Sequence, residues 1–274
     1  MEKFLRIFSK TPSLIGMIHV RALPGTPLYK SGSFDNIVDK AKEEAQVLIE
    51  AGIDGLMIEN MHDIPYMNRS VGPEIISSMT VISHEVKNIA KTIPCGIQIL
   101  SGCNQAALAV AKAASLQYIR AEGFVFAHVA DEGIIQSDAG SLLRYRKSID
   151  ADDIMIWTDI KKKHSSHQIT SDVSLSETCH AAEFFLSDGL IITGSSTGQA
   201  ASVTDLKDAV STVSIPAIIG SGISPDNVEN FSKAHAMIVG SYFKKNGLWS
   251  NEICMDRLNS LVRAVTQLQN EPQR

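Results

Sequence analysis

The chain has 274 residues, 44% of them hydrophobic and 20% charged, so it can bury a substantial core. A formal net charge of -5 argues against nucleic acid as a partner, because binding a phosphate backbone needs a basic surface. No apolar run reaches the roughly 18 residues that cross a bilayer. The four cysteines show neither CxxC spacing nor a His-rich tract, which argues against zinc and a disulfide framework and for a reducing compartment, the cytoplasm.

The N-terminal stretch MEKFLRIFSKTPS alternates basic and apolar residues, which faintly suggests a mitochondrial presequence. The expectation preferred here is a short helix closing the bottom of the fold, because an apolar run already starts at Leu14. Eight such runs follow in order: LIGMIHV (14–20), GLMIEN (55–60), CGIQIL (95–100), YIRAEGF (118–124), IMIWTDI (154–160), GLIITG (189–194), IPAIIG (215–220) and AMIVG (236–240). Near-continuous hydrophobicity suits strands buried on both faces, as in a parallel sheet.

Helical segments separate the runs. Ile37, Ala41, Ala45, Leu48 and Ile49 make one apolar stripe that Gly52 stops, and Ser224 with Pro225 reads as the start of a helix after the seventh run. Eight β-then-α units without a dividing linker predict one (β/α)8 barrel over residues 1–274. The loops after strands 1, 2, 4 and 5 are long and those after 7 and 8 are tight. Barrel active sites lie at the C-terminal ends of the strands, and the last two loops commonly hold a phosphate.

Polar groups close several strands at that end: His19, Glu59 with Asn60, Arg120 with Glu122, Asp159, and Thr193. Glu59 and Asp159 come from opposite sides of the barrel and could act as acid and base, or hold Mg2+ together with Asn60 or a substrate phosphate. Arg120 and Glu122, two apart on a strand, share a face and are as easily a buried ion pair as a binding pair. His19 at the mouth would titrate near neutrality and suit proton transfer. Asp131 lies in the long fourth loop, either as a lid carboxylate or in a turn before Glu132-Gly133.

In DIKKKH, Lys162 reads as a solvated charge. A Schiff-base lysine is disfavoured here, since a neighbouring aspartate would keep the amine charged. Gly-rich turns end three successive strands. Gly194, Ser195, Thr197 and Gly198 join Gly220, Ser221, Gly222, Gly240 and Ser241 as an expected cradle for an anion. No GxxxxGK[ST] signature is present, so no nucleotide cofactor is implied.

The motifs IGMIHVRALPG, IENMHDIPY, ADEGIIQSDAGSLLRYR, TDIKKKH, TGSSTG and IIGSGISPDNV, in this order over nearly the whole chain, resemble the BtpA family (BtpA/SgcQ-like proteins). The resemblance implies a phosphate-binding type of TIM barrel. One branch of the family is associated with photosystem I assembly or stability, and another sits beside sugar-uptake genes. Lys163 and His164 match the family's Lys-His pair, which implies phosphate or hydroxyl binding. Family members often carry Arg-Asn-Asp after strand 3, where this chain has LSGCN (100–104), with Asn104 keeping a polar group in place. The expected function is an enzyme acting on a small phosphorylated metabolite, a sugar phosphate or nucleotide-like compound, by acid–base chemistry of lyase, isomerase or glycosyl-bond type. The alternative is a non-catalytic assembly factor that uses the barrel as a scaffold. The density of ionisable groups at strand ends favours the enzyme, and homo-oligomerisation is left open.

Overall fold

A computed structural model describes residues 1–194 and 196–270. Eight strands, β1 (Ser13–His19), β2 (Gly55–Glu59), β3 (Cys95–Gln98), β4 (Tyr118–Ala121), β5 (Met155–Ile160), β6 (Gly189–Ile192), β7 (Ala217–Ile219) and β8 (Ala236–Val239), close into a barrel in sequence order. Every neighbouring pair is parallel, and β8 returns to β1 with Leu14 opposite Met237. All eight predicted runs are barrel strands.

Strand side chains alternate between faces. One set faces the helices and forms the larger core, among them Leu14, Ile58, Ile97, Ile156 and Leu190. The other set fills the lumen: Ile15 and Met17, Met57, Tyr118, Trp157, Ile191, Ile218, Ala236 and Ile238. Tyr118 stacks on Trp157 with ring centroids 4.0 Å apart, which adds ~0.5–1.5 kcal/mol beyond burial. These rings fit because Gly96 lies beneath Tyr118, where an added Cβ would come within 2.0 Å of the ring.

Helix α1 (Glu2–Ile7) closes the N-terminal end of the lumen, with Phe4 and Phe8 packed against Trp157 and Tyr118. Outside the strands run α2 (Phe34–Glu50), α3 (Pro73–Ala90), α4 (Asn104–Ala113), α5 (Ala139–Ser148), α6 (Leu175–Phe184), α7 (Val203–Thr212) and α8 (Met255–Asn270). The α2 stripe buries Ile37, Ala41, Ala45 and Leu48 as expected, with Ile49 half-buried. It also buries Glu44, whose Oε1 lies 2.6 Å from Lys244 Nζ.

One helix is not as predicted. After β7 the chain makes a turn at Ser224–Asn227 and then a 3-10 helix, Val228–Phe231, in place of an α-helix starting at Ser224. Asn227 explains the turn: its Oδ1 accepts from Ser224 N at 2.9 Å and its Nδ2 donates to Gly222 O at 2.8 Å. Both bonds tie the turn back to the loop that leaves β7.

The long loops after β4 and β5 fold into a small antiparallel sheet of His128–Ala130, Gly133–Ile135 and Ser165–Ser166. Asn68, from the loop after β2, donates to Glu132 O at 3.1 Å and Ile134 O at 3.0 Å. Arg69 donates to Gly123 O and Gln136 O and pairs with Asp138.

Candidate functional site

The lumen changes character one layer beyond its apolar filling. Stepping two residues up each strand, Met17 is followed by His19, Met57 by Glu59, Gly96 by Gln98, Tyr118 by Arg120 and Trp157 by Asp159. Strand register sets His19 opposite Glu59, and Glu59 opposite Gln98. On β7 and β8 the same step reaches Gly220 and Gly240, so the polar layer opens where no side chain fills it.

Above that layer lies a cavity of two lobes, about 390 Å3 and about 290 Å3. The larger is bounded by Gly198, Ser221, Gly222, Gly240, Ser241 and Arg257. The smaller is bounded by Tyr66, Gln98, Ser101, Glu122 and Trp249, with Asp131 at its exposed rim. Glu59, Met61, Arg120, Lys163 and Thr197 border both lobes and form the waist between them.

Four of the charges at the mouth are paired. Arg120 donates from Nε to Asp159 Oδ2 at 2.8 Å and from Nη2 to Asp159 Oδ1 at 2.7 Å, with both side chains buried. Lys162 Nζ lies 3.2 Å from Glu122 Oε2, which also accepts from Ser101 Oγ at 2.9 Å, while Glu122 Oε1 accepts from Gln98 at 3.1 Å. Arg120 and Glu122 are therefore each in a buried ion pair, but not with one another. Lys162 is buried, not solvated as the charge run suggested. Burial opposes ionisation of Glu122, yet Lys162 and Arg120 outweigh it and lower its pKa.

Glu59 and Lys163 are left over. No hydrogen bond reaches the Glu59 carboxyl or the Lys163 amine from the described residues, and neither has an ion-pair partner within 4.0 Å among them. Burial raises the pKa of Glu59 against the pull of Arg120 and Lys163. Burial, helped by Arg120, lowers that of Lys163, against Glu59, Asp159 and Glu122. Both groups are pushed toward their neutral forms, the expected response of unpaired ionisable groups, Glu59 buried and Lys163 half-buried, that are drawn out of water.

His19 borders the larger lobe, and its Nδ1 lies 3.2 Å from the Trp249 carbonyl oxygen. A carbonyl only accepts, so Nδ1 carries the proton and Nε2 is the basic nitrogen. Burial, reinforced by Lys244, lowers its pKa to about 3, so His19 is a neutral imidazole rather than a group titrating near neutrality.

The expected anion cradle divides in two. The N–H groups of Ser221, Gly222, Gly240 and Ser241 donate to nothing within the described residues, and all four residues border the larger lobe. Gly222 has φ +72°, and an added Cβ would lie 2.2 Å from Ala200 N, so this position needs glycine for the loop crossing itself. At Gly240 an added Cβ would lie 2.9 Å from His19 Nε2. The remaining members hold loops together. Gly194 N donates to Ser221 Oγ at 2.9 Å, and that hydroxyl donates to Gln199 O at 3.0 Å. Thr197 N donates to His164 Nε2 at 3.1 Å, and Thr193 Oγ1 accepts from Lys163 N at 3.1 Å. Gly198 borders the lobe, and Ser195 lies outside the described residues.

Two assignments change with this geometry. Asn60 points away from the lumen: it donates to Asp63 at 2.9 Å and accepts from Leu100 N at 2.8 Å. Asp159 does not converge with Glu59, because both its oxygens face Arg120. A cation at the waist would find only Glu59 as a free carboxylate there, and among the described residues no three His, Cys, Asp or Glu side chains cluster as a metal site. Asn104 does keep a polar group in place in the LSGCN segment, holding both the N–H and the C=O of Glu122. Trp249, Tyr66 and Arg257 are missing from the sequence reading. All three lie outside the predicted strands; Tyr66 ends the IENMHDIPY stretch, while Trp249 and Arg257 fall in segments without a motif. Gln98 was within reach, as the strand-end residue level with His19 and Glu59.

The fold and site together define a (β/α)8 barrel with a main-chain amide cradle at its last two loops and a mixed-charge waist. The chain belongs to the BtpA family, whose family model matches residues 10–267. It is 47% identical over 264 residues to a Caenorhabditis elegans protein described as mitochondrial, covering 95% of each chain. It is 30% identical to the photosystem I biogenesis protein BtpA of a Synechocystis species, covering 99% of this chain and 94% of that one. Among solved structures it is similar to (S)-3-O-geranylgeranylglyceryl phosphate synthase from Thermoplasma acidophilum, determined with its substrate sn-glycerol-1-phosphate. The TM-score is 0.60 and the identity 14%, covering 97% of this chain and 98% of that one. That likeness concerns the fold. No helix among the described residues is long and apolar enough to cross a membrane.

Proposed function

We propose that this barrel is an enzyme acting on a small phosphorylated metabolite by acid–base chemistry. The phosphate is received by the free N–H groups of Ser221, Gly222, Gly240 and Ser241, and the reacting atoms lie at the waist beside Glu59. The observation that carries this reading is the pairing pattern. Four main-chain donors face one lobe without acceptors, while Glu59 and Lys163 stand unpaired where that lobe meets the next. Four main-chain donors turned into one lobe without protein acceptors suit a ligand that brings several acceptors at once. Phosphate offers three or more acceptor oxygens, and its charge strengthens each bond.

In this reading Glu59, whose pKa burial raises, delivers and recovers a proton. Arg120 is fixed by Asp159 so that its guanidinium edges the waist, and neutral His19 accepts through Nε2. The substrate phosphate supplies binding energy remote from the reaction. A scaffold has no use for an unpaired carboxyl and amine in one cavity. The free cysteines and the relative described as mitochondrial fit a reducing compartment, the cytoplasm or the mitochondrial matrix.

Thermal denaturation with inorganic phosphate, sulfate and a series of sugar phosphates tests the proposal. A ligand at 100 times its Kd adds about 2.7 kcal/mol to stability. Ser241→Glu puts a carboxylate at the cradle without altering the main chain and should remove that gain. If no phosphorylated compound raises the transition temperature of the wild type, the proposal fails.

A further inference from the structure

The waist holds an amine that the fold leaves without a task. Lys161 Nζ donates to Val173 O at 2.6 Å, Lys162 is paired with Glu122, and Lys244 is paired with Glu44. Lys163 alone of these has no acceptor, and it borders both lobes. The aspartate that should have kept it charged, Asp159, is fully engaged by Arg120. Arg120 is set against a charged amine, while Asp159 gives both its oxygens to Arg120 and none to Lys163.

We infer that Lys163 is an imine-forming nucleophile, and that the phosphorylated metabolite is an aldehyde or ketone whose carbonyl reaches the waist while its phosphate lies in the cradle. This rests on the phosphate reading above and narrows it to a class of substrate. Burial favours the uncharged amine, which is the nucleophilic form. Glu59 borders the same two lobes, and its carboxyl does not come within 4.0 Å of the amine.

The step balances with these two residues. The Lys163 nitrogen lone pair attacks the carbonyl carbon, the C–N bond forms, and the carbonyl oxygen takes the proton of the Glu59 carboxyl. The nitrogen, now positive, returns a proton to Glu59, leaving a neutral carbinolamine. The hydroxyl then departs as water with that proton while the nitrogen lone pair closes the C=N bond. The products are a protonated imine, a Glu59 carboxylate beside it, and one water. No oxidant, reductant or metal is required. The carboxylate so generated is a base next to the carbon activated by the iminium, where a lyase or isomerase step would begin.

Reductive trapping tests this on the full chain. The protein is incubated with sodium cyanoborohydride and, in turn, glycolaldehyde phosphate, dihydroxyacetone phosphate and ribose 5-phosphate. Peptide mass spectrometry then locates any secondary amine. The expected result is a label on Lys163 from at least one probe, lost with excess inorganic phosphate and lost with unphosphorylated dihydroxyacetone. Lys163→Arg should lose the label yet keep its stabilisation by inorganic phosphate. Labelling spread over exposed lysines, or no label on Lys163 from any probe, overturns the inference. If stabilisation by phosphate persists in that case, the phosphate reading stands and Lys163 is only a charge at the waist. If stabilisation is absent as well, both readings fall.

Discussion

Replacing Asp159 by asparagine separates a structural carboxylate from a catalytic one. Both Asp159 oxygens accept from Arg120, at 2.7 and 2.8 Å, with the side chains 0% and 4% exposed. Asparagine retains one acceptor and turns an NH2 group toward the guanidinium, so the arginine stays charged, buried and half-satisfied. Breaking a buried pair in this way costs about 3–5 kcal/mol. In a chain of this size that lowers the transition temperature by roughly 10 °C. The assay is urea unfolding followed by circular dichroism for the wild type, Asp159→Asn, Arg120→Met, and the double variant Arg120→Met with Asp159→Leu. Each single variant should lose the stated amount. The double variant should recover much of it, since apolar replacement of a whole buried pair is often neutral or better. A loss under ~1 kcal/mol in Asp159→Asn, the range of an exposed pair, refutes the reasoning.

Glu59→Gln should keep its stabilisation by phosphate and lose turnover by about 10²–10⁴-fold, the usual contribution of a general acid–base group; unchanged turnover on an identified substrate excludes that role. Gly222→Ala combines a φ of +72° with a Cβ 2.2 Å from Ala200 N, so it should cost more than ~1 kcal/mol and abolish the response to phosphate in thermal denaturation. Acid should destabilise the fold through its buried histidines. Burial lowers His19 to about 3, and His62 and His128 to about 4, from 6.5. Below pH 6.5 the unfolded chain therefore binds more protons, so the stability present above that pH is lost as pH falls toward the folded values. One such histidine accounts for about 2 kcal/mol between pH 7 and pH 5. His128→Gln, which removes a ring whose Nε2 has no partner, should reduce the pH dependence of the urea midpoint by that amount, and an unchanged dependence would count against the assignment.

The sequence by itself determined the barrel. Eight apolar runs became eight strands because a strand buried on both faces must be apolar at nearly every position, a signal carried by adjacent residues. Polar residues at the ends of several runs marked the mouth for the same local reason and pointed to His19, Glu59, Arg120 and Glu122, whereas Lys163 was singled out only through the resemblance to the BtpA family. The cradle at Gly222 and Gly240 was legible as glycine where side chains cannot fit. Only the tertiary structure decided partnership. That Arg120 takes Asp159, that Lys162 takes Glu122, and that Glu59 and Lys163 remain unpaired depends on side chains from strands far apart in sequence meeting across a closed lumen. The start signal at Ser224 led to a turn and a 3-10 helix in place of an α-helix, since a cap and a proline mark where a helical turn begins but not how far it runs. Trp249 and Arg257 reach the mouth after the last strand because the barrel brings the chain's final segment back beside its first. Periodicity reports which face of an element is buried, but closure of the barrel decides which residues meet there.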